Sequence, residues 1–344
     1  MTSSRLPAAL LLLALVSLAV LTATVFVETD WRHSVDGAIY VVTARSLDAG
    51  EGYRYLDQPF FVRPPGLSWV LQSVAAQPVD WSTVNQLMQL MAALSFLAVG
   101  ACLARAQTLL PALGAAVLFA VGPLTAETFN EVFSEFPYVL LFFTGSWLLC
   151  RDRDGNAPGW PRSLFGAALL GLSLWFRSIG LLVLPGLVLV DLFARRRDDR
   201  PAVPRWRGLV LAAVVVAAIL PWMRHAGAMA EQAPRPSTQL LMFDYGTAMF
   251  RTNPSDPASP LVDLDGWLGR AQANGVLVAD ALSHSLFGTD NQHDGQTTLR
   301  FSGVLALLLT AAAMLHALAV RRSLLDWYGA AYFTLMFTYF TFVD

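Results

Sequence analysis

The chain is a succession of long apolar runs separated by shorter polar segments. A transmembrane helix needs about 20 mostly apolar residues to cross a hydrocarbon layer about 30 Å thick, and runs approaching that length recur from one end of the chain to the other. This pattern predicts an all-α fold with about nine membrane-spanning helices. The predicted spans lie near residues 6–27, 85–104, 109–123, 137–150, 163–176, 180–194, 208–223, 303–320 and 327–343.

Composition agrees with this fold class. Of the 344 residues, 55% are hydrophobic and 14% are charged, whereas a soluble domain carries about a quarter charged residues. The net charge is −2, and the arginines are scattered near the ends of apolar runs. No basic stripe is left for nucleic acid, which is excluded as a partner. We expect a polytopic membrane protein whose residues 1–344 form a single domain, with Cys102 and Cys150 as inert packing residues.

The distribution of arginine predicts how the chain is oriented. The run at 6–27 follows Arg5 as a secretory signal would, but it is long and no clean cleavage site follows it, so we interpret it as a retained span with the N-terminus inside. The short inner segments then carry 13 arginines in 40 residues, against 5 in 73 for the short outer segments. Such a bias is typical of cytoplasmic loops. The prediction is a multi-pass protein of the plasma (inner) membrane with a cytoplasmic N-terminus.

Two outer loops are long, at residues 28–84 and 224–302. The first contains an amphipathic stretch, Gly37 to Ala49, which predicts a helix lying in the membrane interface. The second begins with proline-rich segments and then offers an amphipathic helix near Leu261 to Phe287. In the first stretch, Tyr40, Ala44 and Leu47 share one face, and Arg45 and Asp48 share another.

The first outer loop also holds a carboxylate, Asp36, and a guanidinium group, Arg63, that could serve a catalytic or binding site. Asp36 stands a few residues beyond a span and is either a proton acceptor or the N-cap of the interfacial helix, and these two roles are compatible. Arg63 precedes Pro64 and Pro65, which restrict its backbone. Its guanidinium is therefore presented with little freedom, either to a phosphate or to anionic lipid headgroups.

Further charged residues follow at the outer ends of later spans. Glu127, Glu131 and Glu135 would share one face if the segment were helical, and their charges would then repel. Either water solvates this stripe, or a cation or an arginine from another outer segment faces it. Glu135 lies deepest, which makes it a candidate site residue. Arg177 emerges from a short outer turn, either as an ordinary helix-end anchor or as part of the same site.

The order of these motifs resembles the polyprenyl-phosphate-sugar-dependent glycosyltransferases of the GT-C type, in particular the protein mannosyltransferase and aminoarabinose transferase group. The resemblance covers roughly the first 200 residues. The matching positions are Asp36, Tyr40, Ala44, Leu47, Gly50, Gly52, Tyr53 and Arg63-Pro64-Pro65-Gly66 in the first outer loop, Ser134-Glu135 entering the fourth span, and Arg177, Gly180 and Leu181 entering the sixth.

The resemblance implies an outward-facing active site, a lipid-linked sugar donor and Asp36 as catalytic base. It also implies a second acidic residue that helps to hold the site or a divalent metal ion, with Glu135 as the best match and Glu131 as the alternative. Two features depart from the family. Val62 stands where the aminoarabinose enzymes have an acid, which puts a metal ligand there in doubt. Relatives are also usually longer, so the chain is expected to lack a C-terminal part, as a fragment or shortened form would.

The chemistry expected of such a site needs few groups. The leaving group is already a phosphate anion, so the second carboxyl that glycosidases use to protonate a poor leaving group is not required. Asp36 would deprotonate the acceptor hydroxyl as it attacks with inversion, and Arg63 and Arg177 would neutralise the departing phosphate. The partners expected are a polyprenyl-phosphate-linked sugar, membrane lipids and a lipid, glycan or protein acceptor.

Two other classes of function compete with this hypothesis. A transporter or flippase of lipid-linked sugar would need polar or broken spans along a path through the bilayer, but the spans carry almost no charge at mid-depth. A non-catalytic membrane protein would have no reason to place acids and arginines from four outer segments on one side of the membrane. A common site formed by these residues would favour the transferase.

Overall fold

The computed structural model describes residues 34–56, 58–74, 79–106, 114, 117, 131–151, 156–193, 204–232, 249–253, 256, 258–287 and 301–338. Two predicted spans lie outside this part of the chain: 6–27 entirely, and 109–123 apart from residues 114 and 117. The helical fold class is confirmed for the described residues. The total of nine spans stays a prediction.

Helices dominate the described residues, and one short hairpin and one 3₁₀ helix accompany them. Each of the seven remaining predicted spans is helical over most of its described residues. The hairpin pairs β1 (Arg54–Tyr55) with β2 (Gln58–Pro59) in antiparallel fashion, and the 3₁₀ helix is Ser178–Leu182. The helices are α1 Val35–Asp48, α2 Gly66–Leu71, α3 Trp81–Ala106, α4 Glu135–Leu149, α5 Trp160–Ser173, α6 Val183–Leu192, α7 Arg207–Gln232, α8 Leu264–Phe287, α9 Phe301–Val320 and α10 Leu324–Thr338.

Three of these helices are both long and apolar enough to cross a membrane: Trp81–Arg105, Arg207–Met229 and Phe301–Val320. Two shorter apolar segments, Glu135–Leu149 and Ser178–Leu192, lie between them in the sequence. Charged side chains are scarce within these helices because an unpaired charge in hydrocarbon is costly. The chain is therefore a membrane protein by the length and composition of its helices.

The helices pack in a continuous series, with α4 between α3 and α5, α7 against both α5 and α6, and α6 against α10. Small residues allow close approach, as in other membrane helices. A Cβ atom on Gly145 would lie 2.8 Å from the carbonyl oxygen of Gly166, and one on Gly208 would lie 2.2 Å from that of Leu187. The largest fully buried side chains of this bundle include Phe96, Phe142, Leu170, Leu174 and Leu187.

Helix α8 lies across the ends of α9 and α10 that are predicted to face outwards. Asn274 Nδ2 donates to the carbonyl oxygen of Phe337 at 3.0 Å, and the hydroxyls of Ser283 and Ser302 are 2.8 Å apart. The amphipathic helix predicted near Leu261 to Phe287 is therefore present, and it begins at Leu264.

The first outer loop folds back onto the bundle. In α1, Tyr40 and Ala44 are buried while Asp48 is exposed, as the predicted faces require. The buried face packs with α2 and joins the core that includes Leu67 and Met88. The helix expected from the sequence is thus present, and the part of it that the pattern marks as apolar packs against protein. Its position in the membrane interface stays a prediction.

Candidate active site

Asp36 is not the residue that caps the N-terminus of α1. The N-cap is Ser34, whose extended backbone lets its side chain accept a hydrogen bond from the Gly37 backbone N–H at 3.0 Å. The alternative that Asp36 itself is the N-cap is therefore wrong. Asp36 lies in the first turn of the helix, where the helix dipole favours a negative charge.

Arg63 is the partner of this carboxylate. Its Nη1 lies 2.7 Å from Asp36 Oδ2, and the side chains are 17% and 37% exposed, respectively. The Arg63 guanidinium carbon also lies 5.8 Å from the centre of the Tyr40 ring. On the backbone side, the Tyr53 hydroxyl donates to the Arg63 carbonyl oxygen at 3.1 Å. Arg63 is consequently held at both its main chain and its side chain, and part of the ion pair stays accessible.

The loop that carries Arg63 is fastened to the turn that carries Arg177. The backbone N–H of Gly66 donates to the carbonyl oxygen of Trp175 at 2.7 Å. A Cβ atom at position 66 would lie 2.4 Å from that same oxygen, closer than any side chain allows. The glycine that ends the Arg-Pro-Pro-Gly motif is explained by this approach. The close contact between Gly66 and Trp175 brings the loop of Arg63 next to the turn of Arg177.

Arg177 forms an ion pair with Glu135. Glu135 is the first residue of α4, and Arg177 is the extended residue that precedes the 3₁₀ helix. The two side chains are 39% and 37% exposed. Of the alternatives left open by the sequence, an arginine from another segment, one also predicted to lie outside, is the one that faces Glu135.

The predicted stripe of three glutamates does not form over the described residues. Residues 131–134 are not helical, so Glu131 and Glu135 do not share a helix face. The irregular segment ends at Ser134, the N-cap of α4. Glu131 is half-buried, and Glu127 lies outside the described residues.

Tyr40 joins the two ion pairs. It lies four residues after Asp36, one helical turn on, and its side chain is buried. Its hydroxyl donates to Ser134 Oγ at 2.9 Å, next to Glu135 in the chain. Burial raises the pKa of the Tyr40 phenol, and the Ser134 hydrogen bond and the charges of Arg63 and Arg177 partly oppose this rise. The phenol therefore stays neutral and able to donate.

From the sequence, Tyr40 could be identified as part of the first-loop motif, but no role for it could be predicted. Its spacing of four from Asp36 was the available signal, because residues one turn apart share a helix face. Ser134 as its partner had no such signal, since 94 residues separate the two positions.

The carboxylates of this site are not arranged as metal ligands. Among the described residues, no group of three or more histidine, cysteine, aspartate or glutamate side chains could hold a metal ion. Asp36 and Glu135 each face an arginine instead. Oxygen ligands from several groups would be needed for a divalent cation; the described carboxylates do not form such a set as placed, and a divalent metal ion stays a prediction.

Comparison with known proteins gives limited guidance. No protein-family model matches the sequence, and no curated protein matches it. A crystal structure of the Archaeoglobus fulgidus oligosaccharyltransferase tethered to an acceptor peptide is similar with a TM-score of 0.41 and 14% identity, over 95% of this chain and 49% of that one. Archaeal oligosaccharyltransferase AglB from the same organism, in complex with an inhibitory peptide and a dolichol-phosphate, gives a TM-score of 0.42 and 14% identity, over 94% and 38%. The chain thus spans half or less of either structure, and both similarities are too weak to assign an activity.

Proposed function

We propose that the chain is a membrane glycosyltransferase that moves a sugar from a polyprenyl-phosphate donor to an acceptor hydroxyl on the outer face of the membrane. The observation that supports the proposal best is the meeting of two acid–arginine pairs, drawn from four separate segments. The Tyr40–Ser134 hydrogen bond and the Gly66–Trp175 hydrogen bond tie these segments together. The motif resemblance noted in the sequence supplies the reaction class.

In this proposal Arg63 and Arg177 bind the phosphate of the donor. Guanidinium groups suit phosphate because their planar N–H donors match its oxygens in a two-point geometry. Each of these arginines faces a carboxylate in the structure. An arriving phosphate would compete with that carboxylate for the guanidinium, so binding of the donor and release of Asp36 would occur together.

The released Asp36 carboxylate would then act as the base. The acceptor oxygen forms a bond to the anomeric carbon from the side opposite the phosphate, and the bond between that carbon and the phosphate oxygen breaks. The electron pair leaves with the phosphate, and the acceptor proton passes to Asp36. The sugar is transferred with inversion, and the arginines stabilise charge as it gathers on the leaving group.

Glu135 holds Arg177 in the resting state, and Tyr40 fixes the distance between the two pairs. The acceptor is a lipid, glycan or protein hydroxyl. A transporter of lipid-linked sugar is less well supported, because the predicted spans carry no charged side chain at mid-depth in the part of the chain that the structure describes. Such charges mark the transport path in many carriers.

The experiment compares Asp36→Asn with a matched variant of the same helix, Asp48→Asn. Asp48 is exposed at the far end of α1 and has no part in the site. In a strain that lacks the chain, we expect Asp48→Asn to restore transfer and Asp36→Asn to leave it absent, because the amide cannot accept the proton. Both variants should be present in the membrane at the wild-type level by immunoblot.

Mass spectrometry of envelope glycans and lipids provides the readout and also identifies the sugar. A sugar present in the wild type, absent from the deletion strain and regained with Asp48→Asn would identify donor and acceptor together. Normal transfer by Asp36→Asn would contradict the role assigned to the carboxylate.

A further inference from the structure

A second group of arginines lies at the opposite end of the bundle, around the indole of Trp147. The guanidinium carbon of Arg105 is 5.7 Å from the centre of the indole ring, and that of Arg162 is 5.1 Å away. Both distances are typical of cation–π contacts. Trp147 itself lies near the end of α4 and is 36% exposed.

Backbone carbonyl groups fix both arginines. Arg105 Nε donates to the carbonyl oxygen of Cys150 at 3.1 Å, and an Nη of Arg162 donates to that of Trp147 at 3.1 Å. The two guanidinium groups are close enough to interact electrostatically with each other. Like charges held together in this way repel unless an anion lies between or beside them.

Within the described residues, no carboxylate supplies that negative charge. Other arginines at this end are paired, Arg151 and Arg207 with Asp191 and Arg321 with Asp326, but neither arginine at Trp147 forms an ion pair with a described residue. The Nε of Arg162 is buried and has no hydrogen-bond partner among the described residues. Two fixed cations with donors to spare are the ordinary way to bind a phosphate group.

Exposed apolar side chains near the two arginines favour a lipid headgroup over free phosphate as the ligand. Phe165, one turn beyond Arg162 on α5, is 60% exposed, and its neighbour Leu164 is 39% exposed. On α3, Leu94 is 39% exposed and lies three turns before Arg105, on the same face. These apolar surfaces suit lipid chains, and a tryptophan at their border is typical of the headgroup level.

We propose that Arg105, Trp147 and Arg162 form a binding site for the phosphate of an anionic phospholipid at the inner end of the bundle. The indole lies against both guanidinium groups, and the phosphate binds to the N–H donors that the backbone leaves free. The acyl chains lie along the apolar faces of α3 and α5. This site is independent of the proposed transferase site and does not depend on that activity.

Native mass spectrometry of the purified full chain in detergent tests the proposal, with phosphatidylglycerol and inorganic phosphate as separate probes. We expect wild-type protein and Arg205→Gln to hold one phosphatidylglycerol at low lipid concentration. Arg205 is an exposed arginine predicted to lie on the same side, outside the site. The double variant Arg105→Gln with Arg162→Gln should bind this lipid roughly tenfold more weakly, because two cations near the headgroup are lost.

A charge-preserving double variant, Arg105→Lys with Arg162→Lys, separates a built site from general surface charge. Lysine keeps the charge but lacks the planar fork of donors, so we expect this variant to bind phosphatidylglycerol more weakly than the wild type. Equal lipid binding by the wild type and either double variant would overturn the proposal. Binding of inorganic phosphate as tight as that of the lipid would overturn the assignment to phospholipid.

Discussion

The two ends of the helical bundle use the same chemistry in different ways. At the end predicted to face outwards, Asp36 pairs with Arg63 and Glu135 with Arg177, and three of these four side chains are more than a third exposed. At the end predicted to face the cytoplasm, Asp191 is 1% exposed and lies between Arg207, which is 7% exposed, and Arg151. A buried ion pair contributes to a unique structure, whereas a half-exposed pair can exchange its partner for a ligand.

The additional hydrogen bonds of Arg207 strengthen this contrast. Arg207 also donates to Ser163 Oγ at 2.6 Å and to the carbonyl oxygen of Pro158 at 3.3 Å. Its Nη1 and Nη2 donors are thus both directed to acceptors of the protein itself. The cluster around Asp191 therefore holds α5, α6 and α7 together, whereas the Asp36–Arg63 and Glu135–Arg177 pairs stay partly exposed.

The largest expected effect is on stability, from Asp191→Asn. The amide keeps the shape of the side chain but removes the negative charge that faces the buried guanidinium of Arg207. Breaking a buried pair in this way costs about 3–5 kcal/mol. We expect a clear fall in the thermal unfolding midpoint of the detergent-solubilised protein, measured by tryptophan fluorescence.

Asp48→Asn is the control for this measurement and should unfold at the wild-type temperature. Adding Arg151→Gln to Asp191→Asn should recover part of the loss, because one of the two positive charges that face position 191 is removed. Wild-type stability of Asp191→Asn would show that the inner cluster is no more structural than the outer pairs.

The second largest expected effect is on activity. It tests whether Arg177 serves only as the ion-pair partner of Glu135 or also binds the donor phosphate. Arg177→Gln should lower the rate of sugar transfer about 100-fold if the guanidinium stabilises the leaving phosphate, and it should change stability little because the pair is half-exposed. The exchange of partners, Glu135→Arg with Arg177→Glu, keeps an ion pair at the same place. Transfer assays on membranes measure both variants.

We expect the exchanged protein to be as stable as the wild type and still deficient in transfer, since the positive charge has moved to α4. Recovery of transfer by the exchange would mean that the ion pair alone matters and that Arg177 does not meet the donor.

Much of the bundle could be predicted from hydrophobic periodicity, because each span must be apolar over its length. The helix at the first outer loop and the helix near Leu261 to Phe287 followed from their amphipathic patterns, which depend on local spacing alone. The interpretation of Glu131 and Glu135 as one stripe failed for a local reason too. Residues 131–134 depart from the helical conformation just before α4 begins.

The partners of charged residues were harder to predict, since they depend on which segments meet in space. Asp191 had no assigned role, because it stands at the end of an apolar run and its arginines come from two other inner segments. The arginine excess that predicted the orientation includes both of them. Asp36 and Arg63 could be proposed as site residues from their motif, but their direct contact follows from α1 folding back on the loop.

The smallest expected effect sharpens the comparison most, because it concerns the contact that joins the two outer pairs. Tyr40→Phe keeps the ring beneath Arg63 and removes the hydroxyl that donates to Ser134 Oγ at 2.9 Å. Loss of one such hydrogen bond costs about 1 kcal/mol. If the bond sets the spacing between the pairs, the turnover rate should fall several-fold while the KM for the donor stays near the wild-type value. Tyr55→Phe, in the neighbouring hairpin, should change neither quantity. An equal loss of stability with unchanged turnover in Tyr40→Phe would make this contact a packing feature, like the cluster at the inner end.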